Sequence, residues 1–178
     1  MKATGIVRRK DDLGRVVITK EIRRTMRIRE GDPLEIFTEK DGEVIFKKYS
    51  PIGELGDFAA NYVETLAKAS GHGACITDRD NVIAVSGLPK KELMEKRVSN
   101  ELDDIMSDKV TVNYESGREV SIADGNDKYS AGVVVPIISE GDTIGSVIFV
   151  MKDGARPSEV EDNLAETAAG FLGRHMEG

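Results

Sequence analysis

Cysteine occurs once in this chain, at Cys75, histidine twice, at His72 and His175, and tryptophan not at all. A single cysteine rules out an intrachain disulfide framework and the usual thiolate zinc clusters. Two histidines far apart supply no ligand set for a metal, so no metal or cofactor is expected. The longest apolar run, AGVVVPII over residues 131–138, is far short of the ~20 residues of a membrane helix. The opening MKATGIVRRK has no apolar h-region, so no secretory leader is expected. Neither a GxxxxGK[ST] nor a strand-borne GxGxxG is present, which removes the common phosphate loops. Asp124-Gly125-Asn126-Asp127 lacks the spacing of a calcium loop. No base lies beside Cys75 in sequence, and nothing else supplies an acid, base and nucleophile set. The chain reads as a cytoplasmic non-enzyme with no catalytic residues.

What is present is charge, unevenly placed. The net charge is −7. Residues 1–50 carry 13 Lys+Arg against 9 Asp+Glu, net +4, and residues 51–178 carry 12 against 23, net −11. Arg8, Arg9, Arg15, Arg23, Arg24, Arg27 and Arg29 all fall within the first 29 residues. Such asymmetry points to nucleic acid at one end of the chain, since arginine binds phosphate and guanine bidentately. The competing reading is a solvated face neutralised by Glu21, Glu30 and Asp32.

Pattern then gives the elements. Strands are expected over residues 3–9 and 15–18, around a turn at 10–14, and over 33–39 and 43–48. Asp41-Gly42 signals a two-residue type I′ hairpin between the last two. A short helix over 20–27 places Ile22 and Met26 on one face. A unit of about 50 residues buries too little to stand alone, so it should share a core with a second copy. After a linker at 49–53, a helix over 54–70 carries Leu55, Phe58, Ala59, Tyr62, Val63, Leu66 and Ala69 at helical spacing. Strands follow at 74–77, 82–86, 110–114, 119–122, 130–138 and 143–151, with helices at 89–96 and 99–107. The last two strands should form the centre of an antiparallel sheet. Ser158-Glu159-Val160-Glu161 is a capping box opening a final helix in which Val160, Leu164, Ala168, Phe171 and Leu172 share a face. Cys75 reads as a buried hydrophobe, His72 as a loop or cap residue, and His175 as a cation at a helix C-terminus. The Asp11-Asp12 pair reads as surface, with a role in holding the first turn. The second region is α+β with hairpins.

The stretches Thr4-Gly5-Ile6-Val7-Arg8-Arg9, Asp12-Leu13-Gly14-Arg15-Val16-Val17-Ile18 and Glu21-Ile22-Arg23-Arg24-Thr25 resemble the AbrB-type DNA-binding domain, and Leu34-Glu35-Ile36 and Lys47-Lys48-Tyr49 continue the match. With the acidic second region, and Ala165 to Leu172 near its end, the whole chain resembles the AbrB-type sporulation regulators of endospore-forming bacteria. The resemblance implies a dimeric swapped-hairpin β-barrel over 1–50 and a GAF-like regulatory and oligomerisation domain over 54–178. It implies contact with double-stranded DNA through Arg8, Arg15, Arg23 and Arg24. Arg9 joins them from its position on the first strand. It further implies a homotetramer assembled through helices of the GAF-like domains, a nucleoid-associated protein, and room for an unidentified small-molecule effector. Two departures stand out. Thr19 replaces the usual proline before the helix, where it should still cap. Lys10 replaces a β-branched residue, which weakens strand packing or adds a phosphate contact. Antitoxins share the N-terminal fold, so a toxin-binding module is the alternative reading.

Overall fold

The computed structural model describes residues 4–178. The chain divides into two compact units, Met1–Tyr49 and Ser50–Gly178.

In the first unit, α1 spans Lys20–Met26, β1 Leu34–Thr38 and β2 Val44–Lys48. Thr19 precedes α1 at φ −64°, a proline-compatible value, but its hydroxyl caps no backbone N–H. Only its carbonyl enters the helix, accepting from the Arg23 N–H at 2.9 Å. The expected Thr19 cap is therefore limited to its backbone. β1 and β2 pair antiparallel from Leu34↔Lys48 to Thr38↔Val44. Their turn differs from the two-residue type expected. The Glu39 N–H donates to the Glu43 carbonyl, and the Gly42 N–H donates back to Glu39. Lys40, Asp41 and Gly42 thus form a three-residue loop, with Gly42 at φ +83° as its left-handed closing residue. Residues 11–15 repeat this geometry. The Asp11 N–H donates to Arg15 at 3.0 Å, the Gly14 N–H donates to Asp11 at 3.1 Å, and Gly14 has φ +80°.

The arms of that second turn do not become strands. The expected strands over 3–9 and 15–18 are absent among the described residues, and Ala3 lies outside them. A strand persists only where a neighbour satisfies its ladder, and this chain offers none to 4–10 or 16–18. Val7 is consequently 87% exposed and Val17 71%. Among the described residues of the first unit, Thr19 alone is buried. One face of the β1–β2 hairpin presents Ile36, Val44 and Phe46 to solvent.

The second unit begins at Ser50, inside the expected linker. Ile52 is fully buried, and the Ser50 hydroxyl donates to Asp78 at 2.9 Å. After a 3-10 turn at Ile52–Leu55 come α2 (Gly56–Ser70), β3 (Gly73–Asp78), β4 (Val82–Ser86), α3 (Lys90–Leu93), α4 (Asn100–Ser107), β5 (Val120–Ala123), β6 (Asn126–Ser139), β7 (Asp142–Met151) and α5 (Glu159–Met176). The sheet order is β4-β3-β7-β6-β5, and every pairing is antiparallel. The two long strands β6 and β7 pair along most of their length, as their apolar runs require.

The period-2 alternation of these strands builds two cores. Ile76, Val135, Val147 and Phe149 face α2 and α5, while Cys75, Val134, Ile148 and Val150 face α4 and the β5 side. A bulge between Ala131 and Val133 lets two residues of the same parity face opposite cores. α5 lies directly against β6. A Cβ built on Gly173 would come within 2.0 Å of the Ile138 carbonyl oxygen, so only glycine permits that approach. Ser99 caps α4, its hydroxyl accepting from Leu102 at 3.0 Å, and the Ser158–Glu161 capping box opens α5.

Two other expectations are corrected. The helix over 89–96 shrinks to the single turn of α3, because Glu95 takes φ +62° and its N–H turns to the Val82 carbonyl. The strand over 110–114 reduces to one bridge, Val112↔Val134.

Candidate nucleic-acid interface

Arg8, Arg9, Arg15, Arg23 and Arg24 are all exposed. They arise from three local features. Arg8 and Arg9 lie on the first arm, Arg15 closes the first turn, and Arg23 and Arg24 ride on α1. Arg8 and α1 are brought together. The Glu21 carboxyl is held below the usual range first by its own backbone N–H and the Thr19 hydroxyl, then by the charges of Arg8 and Arg23. Among the described residues, Arg8, Arg9, Arg23 and Arg24 form no ion pair. Lys10 is likewise exposed.

Arg15 is held differently. Its Nε donates to Asp11 Oδ2 at 2.6 Å, and its backbone N–H donates to Asp11 Oδ1 at 2.8 Å. These two bonds hold the Asp11 carboxyl below the ordinary carboxylate range. Arg27 and Arg29 leave the candidate set. Arg27 is the left-handed C-cap of α1, and its carbonyl accepts from Lys48 Nζ at 2.8 Å. Asp32 accepts from the Arg29 backbone N–H at 2.9 Å and lies 3.8 Å from its guanidinium. Of the three acids expected to neutralise the arginines, Asp32 thus takes Arg29 and Glu21 faces Arg8 and Arg23.

In the second unit, burial pushes the Cys75 thiol up to about 12, which makes it inert at neutral pH. No group of three or more His, Cys, Asp or Glu among the described residues is placed to hold a metal. No helix among them is long and apolar enough to cross a membrane.

A model of the stage V sporulation protein T C-terminal transcription-factor family matches residues 54–177. Stage V sporulation protein T of Bacillus subtilis (strain 168) is 54% identical over 178 residues, covering 99% of each chain. The chain belongs to the stage V sporulation protein T family. Its members carry an AbrB-like DNA-binding domain followed by a GAF-like domain, and this chain is a sporulation transcription regulator of that kind. The first unit is AbrB-like. The transition state regulatory protein AbrB of the same organism is 59% identical over 63 residues, which are 32% of this chain and 65% of AbrB. A model described as antidote-toxin recognition MazE, bacterial antitoxin, matches residues 7–53. The second unit has the GAF fold. The GAF domain of an Acinetobacter phosphoenolpyruvate-protein phosphotransferase superposes with a TM-score of 0.55 at 17% identity, covering 68% of this chain and 81% of that one.

The family's two-unit plan also frames a feature that helical spacing misplaces. Of the residues expected to share the buried faces of the two long helices, Ala59, Val63, Leu66, Ala168 and Leu172 are buried, but Phe58, Ala69, Val160 and Phe171 are exposed. Phe58, Tyr62, Phe171 and His175 instead stack on one another at 5.6–6.2 Å between α2 and α5. His175 lies in the last turn of α5, as expected, and is also part of an aromatic surface. His72 follows α2, with its Nε2 3.9 Å from the buried Glu161 carboxylate.

Proposed function

We propose that two copies of the first unit pair into one arginine-bearing body that binds double-stranded DNA. Arg9, Arg23 and Arg24 contact phosphate, and Arg8 and Arg15 reach into a groove. One observation carries this reading: five exposed arginines stand on a unit in which no apolar side chain among the described residues is buried. Exposed Val7, Val17, Ile36 and Phe46 need a cover, and a second copy supplies it with two-fold symmetry. Without a dedicated recognition helix, shape and deformability of DNA should weigh more than a strict base code.

The second unit assembles and regulates. Its exposed stack of Phe58, Tyr62, Phe171 and His175 suits a helix-to-helix contact between copies, giving a homotetramer. An open cleft of about 460 Å³, where Lys91, Lys96 and Lys128 stand among Glu92, Asp124 and Asp127, is where a small-molecule effector would sit. The acidic balance of residues 51–178 repels DNA and keeps that unit off the duplex. The protein works in the cytoplasm, on the nucleoid.

The antitoxin alternative draws on the match over residues 7–53. Against it stands the five-stranded folded unit that follows, where antitoxins of this type carry a short acidic tail. Sedimentation of the full chain with and without a labelled duplex tests the proposal. A tetramer that binds duplex supports it; a folded monomer, or a tetramer indifferent to DNA, overturns it.

A further inference from the structure

We infer that Asp11 is the positioning residue for Arg15, pinning its guanidinium by Nε so that the Nη edge faces outward to discriminate among DNA sequences. The inference rests on the proposed DNA contact by Arg15. Within the turn, Asp11 is tied to Arg15 three times: N–H to carbonyl, Oδ1 to backbone N–H, and Oδ2 to Nε. Gly14 closes the same loop at φ +80°, and the Arg15 side chain is 71% exposed. An arginine has five N–H donors. With Nε taken, both Nη groups keep the paired geometry that reads guanine O6 and N7.

Electrostatics makes the placement informative. A carboxylate in the most basic stretch of the chain, net +7 over residues 1–29, opposes DNA binding. Asp11 therefore does not serve affinity as a charge. What it supplies is order: a side chain fixed before binding loses less freedom on binding. Arg8, Arg9, Arg23 and Arg24 have no such partner among the described residues, which leaves Arg15 as the oriented member of the set. Asp12, next in sequence and exposed, forms no ion pair among the described residues and provides a control of equal charge.

The test uses the full-length protein with two duplexes of equal length. One is the tightest binder selected in vitro by the wild type, and the other is its scrambled counterpart. Asp11→Asn keeps an oxygen for the Arg15 backbone N–H and removes the charged grip on Nε. Its affinity for the scrambled duplex should rise, while the ratio of the two affinities falls about tenfold, within the range of one bidentate base contact. Asp12→Asn should raise both affinities alike and leave the ratio unchanged. In an Arg15→Ala background, Asp11→Asn should change the ratio no further. The Arg15 Nε–H resonance of the free wild-type protein gives a readout that needs no variant, and it should be ordered and slow to exchange. An averaged resonance, or an Asp11→Asn ratio that matches Asp12→Asn while Arg15→Ala lowers it, overturns the role of Asp11 alone. An Arg15→Ala protein with wild-type affinity and ratio overturns the DNA contact as well.

Discussion

The salt dependence of DNA binding is where the arginine surface makes its sharpest claim. Arg8, Arg9, Arg23 and Arg24 stand without ion pairs among the described residues, whereas the charge of Arg15 is offset by Asp11 at 2.6 Å. Arg9, Arg23 and Arg24 of a dimer place about six guanidiniums on phosphate, and the slope of log K against log salt should be about −5, from about −0.9 per phosphate neutralised. Between about 50 and 200 mM salt, affinity should fall by roughly three decades. Arg24→Ala removes two contacts per dimer, so its slope should ease to about −4 and its affinity near 0.1 M should drop roughly 60-fold, or about 2.5 kcal/mol. Arg24 is exposed on α1 and packs in no core, so the melting temperature should not move. Anisotropy of a labelled duplex, titrated at several salt concentrations for both proteins, measures both slopes. A wild-type slope shallower than about −2 would refute the reasoning. So would an Arg24→Ala line parallel to the wild type.

Three further outcomes follow from packing and titration. Ile36, 61% exposed on the uncovered hairpin face, should be buried by the partner copy, so Ile36→Asp should yield a smaller species in sedimentation and abolish duplex binding. Gly173→Ala sets a Cβ against the Ile138 carbonyl and should cost about 1–3 kcal/mol in calorimetric melting, with more if α5 lifts from β6; an unchanged transition would contradict the close approach. The Asp162 carboxyl is raised by burial, with Glu166, Glu115 and Glu161 adding to the rise against the Tyr114 N–H, which lowers it. Folded protein therefore holds this proton to higher pH than unfolded chain does. Its contribution is fully present below the usual carboxylate range and is lost as pH rises through the elevated value. Asp162→Asn keeps an acceptor for Tyr114 and should melt higher than wild type at neutral pH, and the gap should close below about pH 4.

Much of the second unit was legible because its signals are local. The β-branched runs of β6 and β7, the Ser158–Glu161 capping box and the Ser99 cap depend on residues a few positions apart, and each appears in the structure. The charge split and the arginine cluster are likewise properties of composition, and they mark one end of the chain. Periodicity fixed which residues share a helix face, but not what lies opposite it. Phe171 and Leu172 are adjacent on α5, yet Leu172 is buried against the sheet while Phe171 stacks outward on Phe58 and Tyr62. The bulge at residue 132 and the glycine contact at Gly173 arise only when β6 meets β7 and α5. In the first unit, strand pattern over residues 4–18 does not become strand, because a ladder needs a neighbour that one chain does not contain. The Asp11–Arg15 pair lay between these cases. Sequence placed an aspartate at the turn, but only the three-residue loop closed by Gly14 decided which arginine nitrogen its carboxylate would hold.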